Sequence, residues 1–121
     1  MKKILAAALF FATTITSAQV ITVAEQTSTF STGQQPAIVT TCFNNNLKDV
    51  TNSWTTYMKS LKSKKVTAGK EETFTDNVLI KDWGNNPVDI YARFEENKSD
   101  NSVKVMVAFD LGGAYLSSTV D

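Results

Sequence analysis

The fold of this chain is decided by one stretch in its second half, Val88-Asp89-Ile90-Tyr91-Ala92-Arg93-Phe94-Glu95. Apolar and polar side chains alternate throughout it, and an alternation of two is the period of a β-strand with one buried face. After a polar loop, residues 103–111 alternate in the same way, but their second face, which carries Met106 and Ala108, is less polar. The two segments predict neighbouring antiparallel strands, of which the second lies centrally in the sheet.

One amphipathic helix is predicted upstream of these strands. Apolar side chains recur at spacings of three and four and predict a helix over about residues 46–62, on a face formed by Leu47, Val50, Trp54, Tyr57, Met58 and Leu61. Three asparagines at positions 44–46 precede this pattern and supply an N-cap. We expect Trp54 and Tyr57 to pack into the core, and the lysines at the C-terminal end of the helix to be solvated.

The remaining segments favour short strands separated by turns. Residues 20–30 indicate an edge strand or a loosely ordered lead-in, residues 31–36 a turn, and residues 37–43 a second strand. Residues 66–68 and 72–80 predict a hairpin, in which Asp76-Asn77 marks a bulge. The assembled prediction is an α+β two-layer sandwich: a twisted antiparallel sheet of five or six strands, packed by the one helix.

The first eighteen residues have the layout of a secretory signal peptide. Lys2 and Lys3 precede an apolar run that is too short to span a membrane and that closes on small residues. We expect cleavage between Ala18 and Gln19. Residues 19–121 would then form a single exported domain, periplasmic or extracellular, with no transmembrane segment.

The composition excludes several classes of chemistry. The chain has no histidine and one cysteine, Cys42, so it holds no Ser-His-Asp or Cys-His nucleophile and no internal disulfide. The same counts give no basis for a zinc, iron–sulfur or haem site, and no cofactor is predicted. Without the leader, ten basic residues face 12 acidic ones, and this net charge of −2 does not favour nucleic acid as a partner. Cys42 is interpreted as a buried strand thiol, with an intermolecular disulfide or a reactive thiol as the alternative.

Candidate binding residues are few. Trp83 lies in a turn-rich loop, and Tyr91 and Arg93 lie on the polar face of the alternating strand, so these three are candidates for an exposed surface that stacks on a sugar or a peptide. Single exposed aromatic residues are common in proteins and usually have no such role.

The carboxylates give no specific signal. Glu95, Glu96 and Asp100 flank a loop, but they lack the ligand spacing of a calcium-binding loop, and no metal site is predicted. Asp89 and Glu95 are the residue types of a glycosidase pair, although no cleft is indicated beside them. No catalytic residue is assigned.

Three segments resemble a family of uncharacterised exported proteins of Bacteroidetes-type bacteria. They are the helix residues Val50, Trp54, Tyr57 and Lys59, the stretch 86–92, and the glycine-containing stretch 109–118. The likeness spans residues 33–118. It implies a location in the cell envelope but no activity, since none is assigned to that family. Members of that family continue into a charged helical tail, so an end at Asp121 indicates a truncated chain or a short member. In a truncated chain we expect Met106 and Ala108 to be poorly covered.

Three functions are consistent with these observations. We favour a non-enzymatic cell-envelope protein, a small binding or protein-interaction module whose partner is an envelope protein or a glycan. The first alternative is a small carboxylate-dependent hydrolase or lyase, which requires Asp89, Arg93 and Glu95 to converge in a pocket. The second is a secreted inhibitor that adds a strand to its target, for which residues 20–30 are the candidate segment.

Overall fold

The computed structural model describes residues 22–69 and 71–118, which form one antiparallel sheet and one α-helix. Within these residues the elements are β1 (Val23–Phe30), β2 (Gly33–Phe43), α1 (Leu47–Ser60), β3 (Lys65–Ala68), β4 (Glu72–Val78), a 3-10 helix (Lys81–Trp83), β5 (Val88–Asn97) and β6 (Ser102–Asp110). The strand order is β1-β2-β6-β5-β4-β3, and every neighbouring pair is antiparallel. The predicted α+β two-layer sandwich is therefore confirmed, with β6 in the interior of the sheet as expected.

Helix α1 covers one face of the sheet, which we call the helix face. The floor beneath it consists of alternate, buried residues of β4, β5 and β6: Val78, Val88, Ile90, Ala92, Phe94, Val103, Val105 and Val107. Met58 anchors the helix in this core and is 2% exposed. The predicted cap is confirmed, since the Asn46 side chain accepts a hydrogen bond from the backbone N–H of Asp49. The helix ends at Ser60 because Leu61 is already extended.

The β1–β2 hairpin covers part of the opposite face, which we call the hairpin face. Phe30 and Ala37 of the hairpin are buried against Met106 and Ala108 of β6. The turn of the hairpin reaches across β6 and β5, since Ser31 donates hydrogen bonds to the carboxylate of Glu72 on β4. Met106 and Ala108 are thus only 4% and 0% exposed. The poor coverage expected of them in a truncated chain is not seen, because the long hairpin bends over them.

The turn that forms this hairpin is shorter than expected. A turn over residues 31–36 was predicted from its glycine and proline, but β2 already begins at Gly33, and Phe30 pairs directly with Gly33. Pro36 lies inside β2 opposite Thr27. It is tolerated there because β2 pairs with β6 only from Ile38 onward, so this part of the strand has β1 as its one neighbour.

The predicted irregularity in β4 is confirmed. The register between β4 and β5 shifts between Thr75 and Val78, and Asn77 adopts the left-handed backbone conformation with φ 51°. The Asp89 carboxylate accepts the backbone N–H of Asn77 at 2.9 Å. A bulge of this kind leaves a backbone donor without a ladder partner, and here a neighbouring strand supplies the acceptor.

The segment after β6 folds back onto the sheet. The ring of Tyr115 lies 6.3 Å from the ring of Tyr91 on the hairpin face. Hydrogen bonds from Ser118 and Ser117 reach the carboxylate of Glu25 on β1 and hold the pKa of this group below its usual range. The C-terminal segment therefore joins the edge strand to the centre of the sheet.

The interpretation of the leader, with cleavage between Ala18 and Gln19, lies outside the described residues. No helix within those residues has the length and apolar character needed to cross a membrane. Cys42 is a free, half-buried thiol on β2 that packs against the core of the helix face. It lies in a strand as predicted but is less deeply buried.

Candidate functional site

Trp83 and Tyr91 lie on opposite faces of the sheet. The Trp83 ring packs 5.3 Å from the ring of Phe109, which is paired with the helix-face residue Ile90. Tyr91 is paired with Ala108 of the hairpin face, and successive strand residues point to opposite sides. The structure therefore does not bring these two aromatic rings together on one surface.

Tyr91 belongs to an aromatic cluster rather than to an open platform. Its ring lies 4.8 Å from that of Phe74 and within 6.5 Å of those of Phe30 and Tyr115. Partial burial among these rings raises the pKa of Tyr91 to about 12, and the nearby charges of Tyr115 and Asp89 add to the effect. The phenol therefore stays neutral to a higher pH than that of an exposed tyrosine.

The charged residues of β5 do not converge. Arg93 pairs with Glu71 at 3.2 Å on the surface, whereas the Asp89 carboxylate is bound to the β4 bulge. Asp89 and Glu95 are six positions apart on one strand, a separation of about 20 Å at roughly 3.3 Å per residue. Paired carboxylates in glycoside hydrolases lie about 5–10 Å apart. This pair therefore lacks the spacing that the reaction requires.

Side chains of three different strands do meet at one end of the hairpin face. The pairing registers place Thr41 of β2 beside Lys104 of β6, and Lys104 beside Glu95 of β5. Neighbouring strands are about 4.8 Å apart, so this row of hydroxyl, ammonium and carboxylate spans roughly 10 Å. In the adjacent row, Phe43 lies beside Ser102. Phe43 is 58% exposed.

These rows form the floor of an open depression, which we call the trough. It consists of two adjoining cavities of about 330 Å³ and 500 Å³ that share Thr41, Phe43 and Lys104. The first extends toward β1, over Gln26, and the second toward the loop between β5 and β6. The bent hairpin covers another part of the same face, so the trough is the part of that face that stays open.

The polar side chains on the floor of the trough are free to bind a ligand. Gln26, Thr41, Glu95 and Lys104 make no side-chain hydrogen bond or ion pair with any other described residue. The neighbouring Glu96 pairs with Val103 of the helix face, so its carboxylate points away from the trough and accepts the backbone N–H of Leu47 at the start of α1, at 3.1 Å. A concave floor whose donors and acceptors have no partner among the described residues is the arrangement expected of a polar binding site.

A second depression, of about 400 Å³, lies on the helix face between α1 and β2. It is mainly apolar, and Cys42, Trp54 and Tyr57 are among its lining residues. Trp54 packs against the core as predicted, with its ring 6.3 Å from that of Phe94. The prediction for Tyr57 is wrong, since this side chain is 59% exposed. It lies at the edge of the helix, beyond the part of the sheet that the helix covers.

No cluster of three or more potential metal ligands occurs among the described Cys, Asp and Glu residues. Comparison with protein-family models, curated protein sequences and solved structures gave no match to this chain. The trough and the second depression are therefore the candidate binding sites among the described residues.

Proposed function

We propose that this protein is an exported, non-enzymatic binding module of the cell envelope. The leader pattern of residues 1–18 supports the address. The observation that carries the binding role is the trough, where an exposed Phe43 lies beside a row of polar side chains that have no partner in the part of the chain that the structure describes.

No single feature of the trough is unusual, but the combination favours the binding of a ligand. A single exposed aromatic ring is common on protein surfaces. Here the ring lies beside a concave floor in which Thr41 can donate and accept, Lys104 can donate and Glu95 can accept. Ligand sites typically pair apolar contact area with a few placed polar groups, and the floor of the trough supplies both.

The test is co-purification from the envelope of the organism that encodes the protein. The full chain, with a C-terminal affinity tag, is recovered after export, and bound proteins, glycans and lipids are identified by mass spectrometry. Phe43→Ala removes the exposed ring of the trough, and Tyr57→Ala removes an equally exposed ring on the opposite face. We expect a ligand that is recovered with the wild type and with Tyr57→Ala but is lost with Phe43→Ala.

Two results would contradict the proposal. The first is recovery of no specific ligand, and the second is a ligand whose recovery is unaffected by Phe43→Ala. Loss with Tyr57→Ala alone would move the binding role to the apolar depression beside α1.

The free edge of β1 supports a second candidate, strand addition to a target protein. No strand pairs with the outer edge of Val23–Phe30 within the described residues, and β1 contains neither lysine nor proline, the residues that commonly protect such edges. Thr27→Lys places a charge on an exposed side chain of this strand. If β1 is the binding element, this substitution abolishes recovery of the partner, whereas Phe43→Ala leaves it unchanged.

A further inference from the structure

We infer that the trough is a saccharide-binding site whose ligand is a neutral oligosaccharide, held with one sugar ring against the face of Phe43. This inference deepens the proposed binding function and rests on it. It assigns a ligand class and a role to each residue of the floor.

The shape and polarity of the trough fit a sugar better than an apolar ligand. A pyranose ring has a face of C–H groups that packs on an aromatic ring and an edge of hydroxyl groups that both donate and accept hydrogen bonds. Phe43 provides the first surface, 58% exposed at the end of β2. Thr41, Lys104 and Glu95 provide a row of hydrogen-bonding groups for the second, next to the ring and roughly 10 Å long.

The floor offers both donors and acceptors, which distinguishes it from a site for an anion. Lys104 donates, the Glu95 carboxylate accepts, and the Gln26 amide and Thr41 hydroxyl do both. Because these groups are free of partners among the described residues, binding a hydroxyl group requires no internal hydrogen bond to break.

The charge balance of the trough selects a neutral ligand. Two positive and two negative side chains line it, namely Lys98, Lys104, Glu95 and Asp100, whereas the carboxylate of Glu96 is bound to the start of α1 on the other face. The Asp100 carboxylate already accepts a hydrogen bond from the Ser102 hydroxyl. These charges balance, so the lining offers no surplus of positive charge to a sulfated, phosphorylated or uronic-acid sugar, and a neutral sugar needs none.

The experiment is a glycan array probed with the exported full-length protein, followed by calorimetric titration of the soluble oligosaccharides that bind. Maltohexaose, cellohexaose and chitohexaose serve as neutral probes, and the array also carries sulfated and uronic-acid oligosaccharides. The variants are Phe43→Ala, Phe43→Trp and Thr41→Val, with Tyr57→Ala as the matched control on the other face. Circular dichroism verifies that each variant is folded.

We expect binding to one or more neutral oligosaccharides and weaker or no binding to the acidic ones. Phe43→Ala should weaken the affinity about tenfold or more, since it removes the aromatic contact, and Phe43→Trp should retain it. Thr41→Val keeps the shape of the side chain but removes its hydroxyl, and should weaken the affinity about threefold to tenfold. Tyr57→Ala should bind as the wild type does.

The inference is overturned if no neutral oligosaccharide binds, if the acidic oligosaccharides bind best, or if Phe43→Ala and Tyr57→Ala bind equally well. A negative array together with a protein recovered in a Phe43-dependent manner from the envelope would reject the saccharide and leave the binding module standing. A negative array together with an empty co-purification would reject both proposals.

Discussion

Ser31, at the tip of the β1–β2 hairpin, donates both its backbone N–H and its hydroxyl to the carboxylate of Glu72 on β4, with the N–H to oxygen distance at 2.9 Å. These two residues are 41 positions apart and lie on either side of two intervening strands. The contact fixes the hairpin over the aromatic cluster around Tyr91. The closed part of the hairpin face, and hence the border of the trough, depends on it.

Replacing Glu72 with alanine should therefore destabilise the protein. Hydrogen bonds to charged groups contribute about 1.5–3 kcal/mol when shielded, and for this solvent-accessible pair we expect a loss of about 1 kcal/mol in the free energy of unfolding. Urea denaturation of the wild type and of Glu72→Ala measures the difference.

The neighbouring residue provides the control for this prediction. Glu71 makes a surface ion pair with Arg93 and is 72% exposed, so Glu71→Ala should cost about 0.5 kcal/mol or less. Equal destabilisation by the two alanine variants would show that the hairpin contact adds nothing beyond a surface charge.

Ile90 and Ile38 offer a comparison of burial at constant chemistry. Ile90 is 2% exposed in the core beneath α1, and Ile38 is 37% exposed on β2. Removing one methylene group from a core position costs about 1 kcal/mol, so Ile90→Val should lower the free energy of unfolding by that amount. Ile38→Val should change it by less than about 0.5 kcal/mol. Similar losses of unfolding free energy at both positions would mean that Ile38 is as well buried as Ile90.

Asn77 should tolerate glycine but not a β-branched residue. Its φ of 51° lies in the left-handed region, where asparagine is permitted and valine is strongly disfavoured. We expect Asn77→Val to lower the free energy of unfolding by about 1–2 kcal/mol and Asn77→Gly to leave it nearly unchanged. Thermal unfolding measures the difference between the two variants. Equal melting temperatures would show that the left-handed backbone of Asn77 does not decide which residues are tolerated there.

The ionisation of Tyr91 should make stability depend on pH at the alkaline end. Its pKa in the folded protein is raised to about 12, compared with about 10 in an unfolded chain. The unfolded chain therefore loses the proton first, so the stability contributed by the neutral phenol is complete below pH 10 and is lost as the pH rises toward 12.

Tyr91→Phe removes this group while keeping its ring. The free energy of unfolding of the variant should fall less steeply between pH 10 and pH 12 than that of the wild type. An ultraviolet difference titration of wild type minus variant should show a phenol that ionises near pH 12. A midpoint near 10 would mean that Tyr91 is as solvated as in an unfolded chain.

The local elements of this fold could be predicted because their signals are local. The alternation from Val88 to Glu95 defines β5, and the asparagine before Leu47 defines the start of α1. The apolar second face of β6 identified an interior strand. These patterns reflect one residue's relation to its near neighbours in the chain, which the sequence displays directly.

The parts that could not be predicted depend on long-range geometry. Pro36 is a turn residue by its chemistry, and only the bend of the hairpin away from β6 makes it acceptable in a strand. Tyr57 has the spacing of a core residue, but the position of α1 over the sheet leaves it outside. Neither the bend nor the helix position is visible in a local pattern.

The trough illustrates the same division. Glu95 and Lys104 flank one short loop, so the hairpin between β5 and β6 was sufficient to place them side by side. Thr41 and Phe43 come from a distant strand, and nothing in their sequence neighbourhood indicates that β2 lies next to β6. The sequence signal available at Phe43 was an aromatic residue at the end of a predicted strand, followed by three asparagines. This pattern indicates the end of a strand and does not by itself indicate a binding site.

The position of β6 also determines when the molecule can fold. Ile38 of β2 pairs with Val107 of β6, 69 residues later, and β6 is the strand that joins the β1–β2 hairpin to the β3–β4–β5 ribbon. A chain synthesised from its N-terminus cannot complete the sheet until β6 emerges, because β6 pairs with both β2 and β5. Formation of the domain is therefore a late event that closes a long loop in the chain. Shortening the chain before Ser102 would remove the strand that pairs with both parts of the sheet and would expose the edges of β2 and β5.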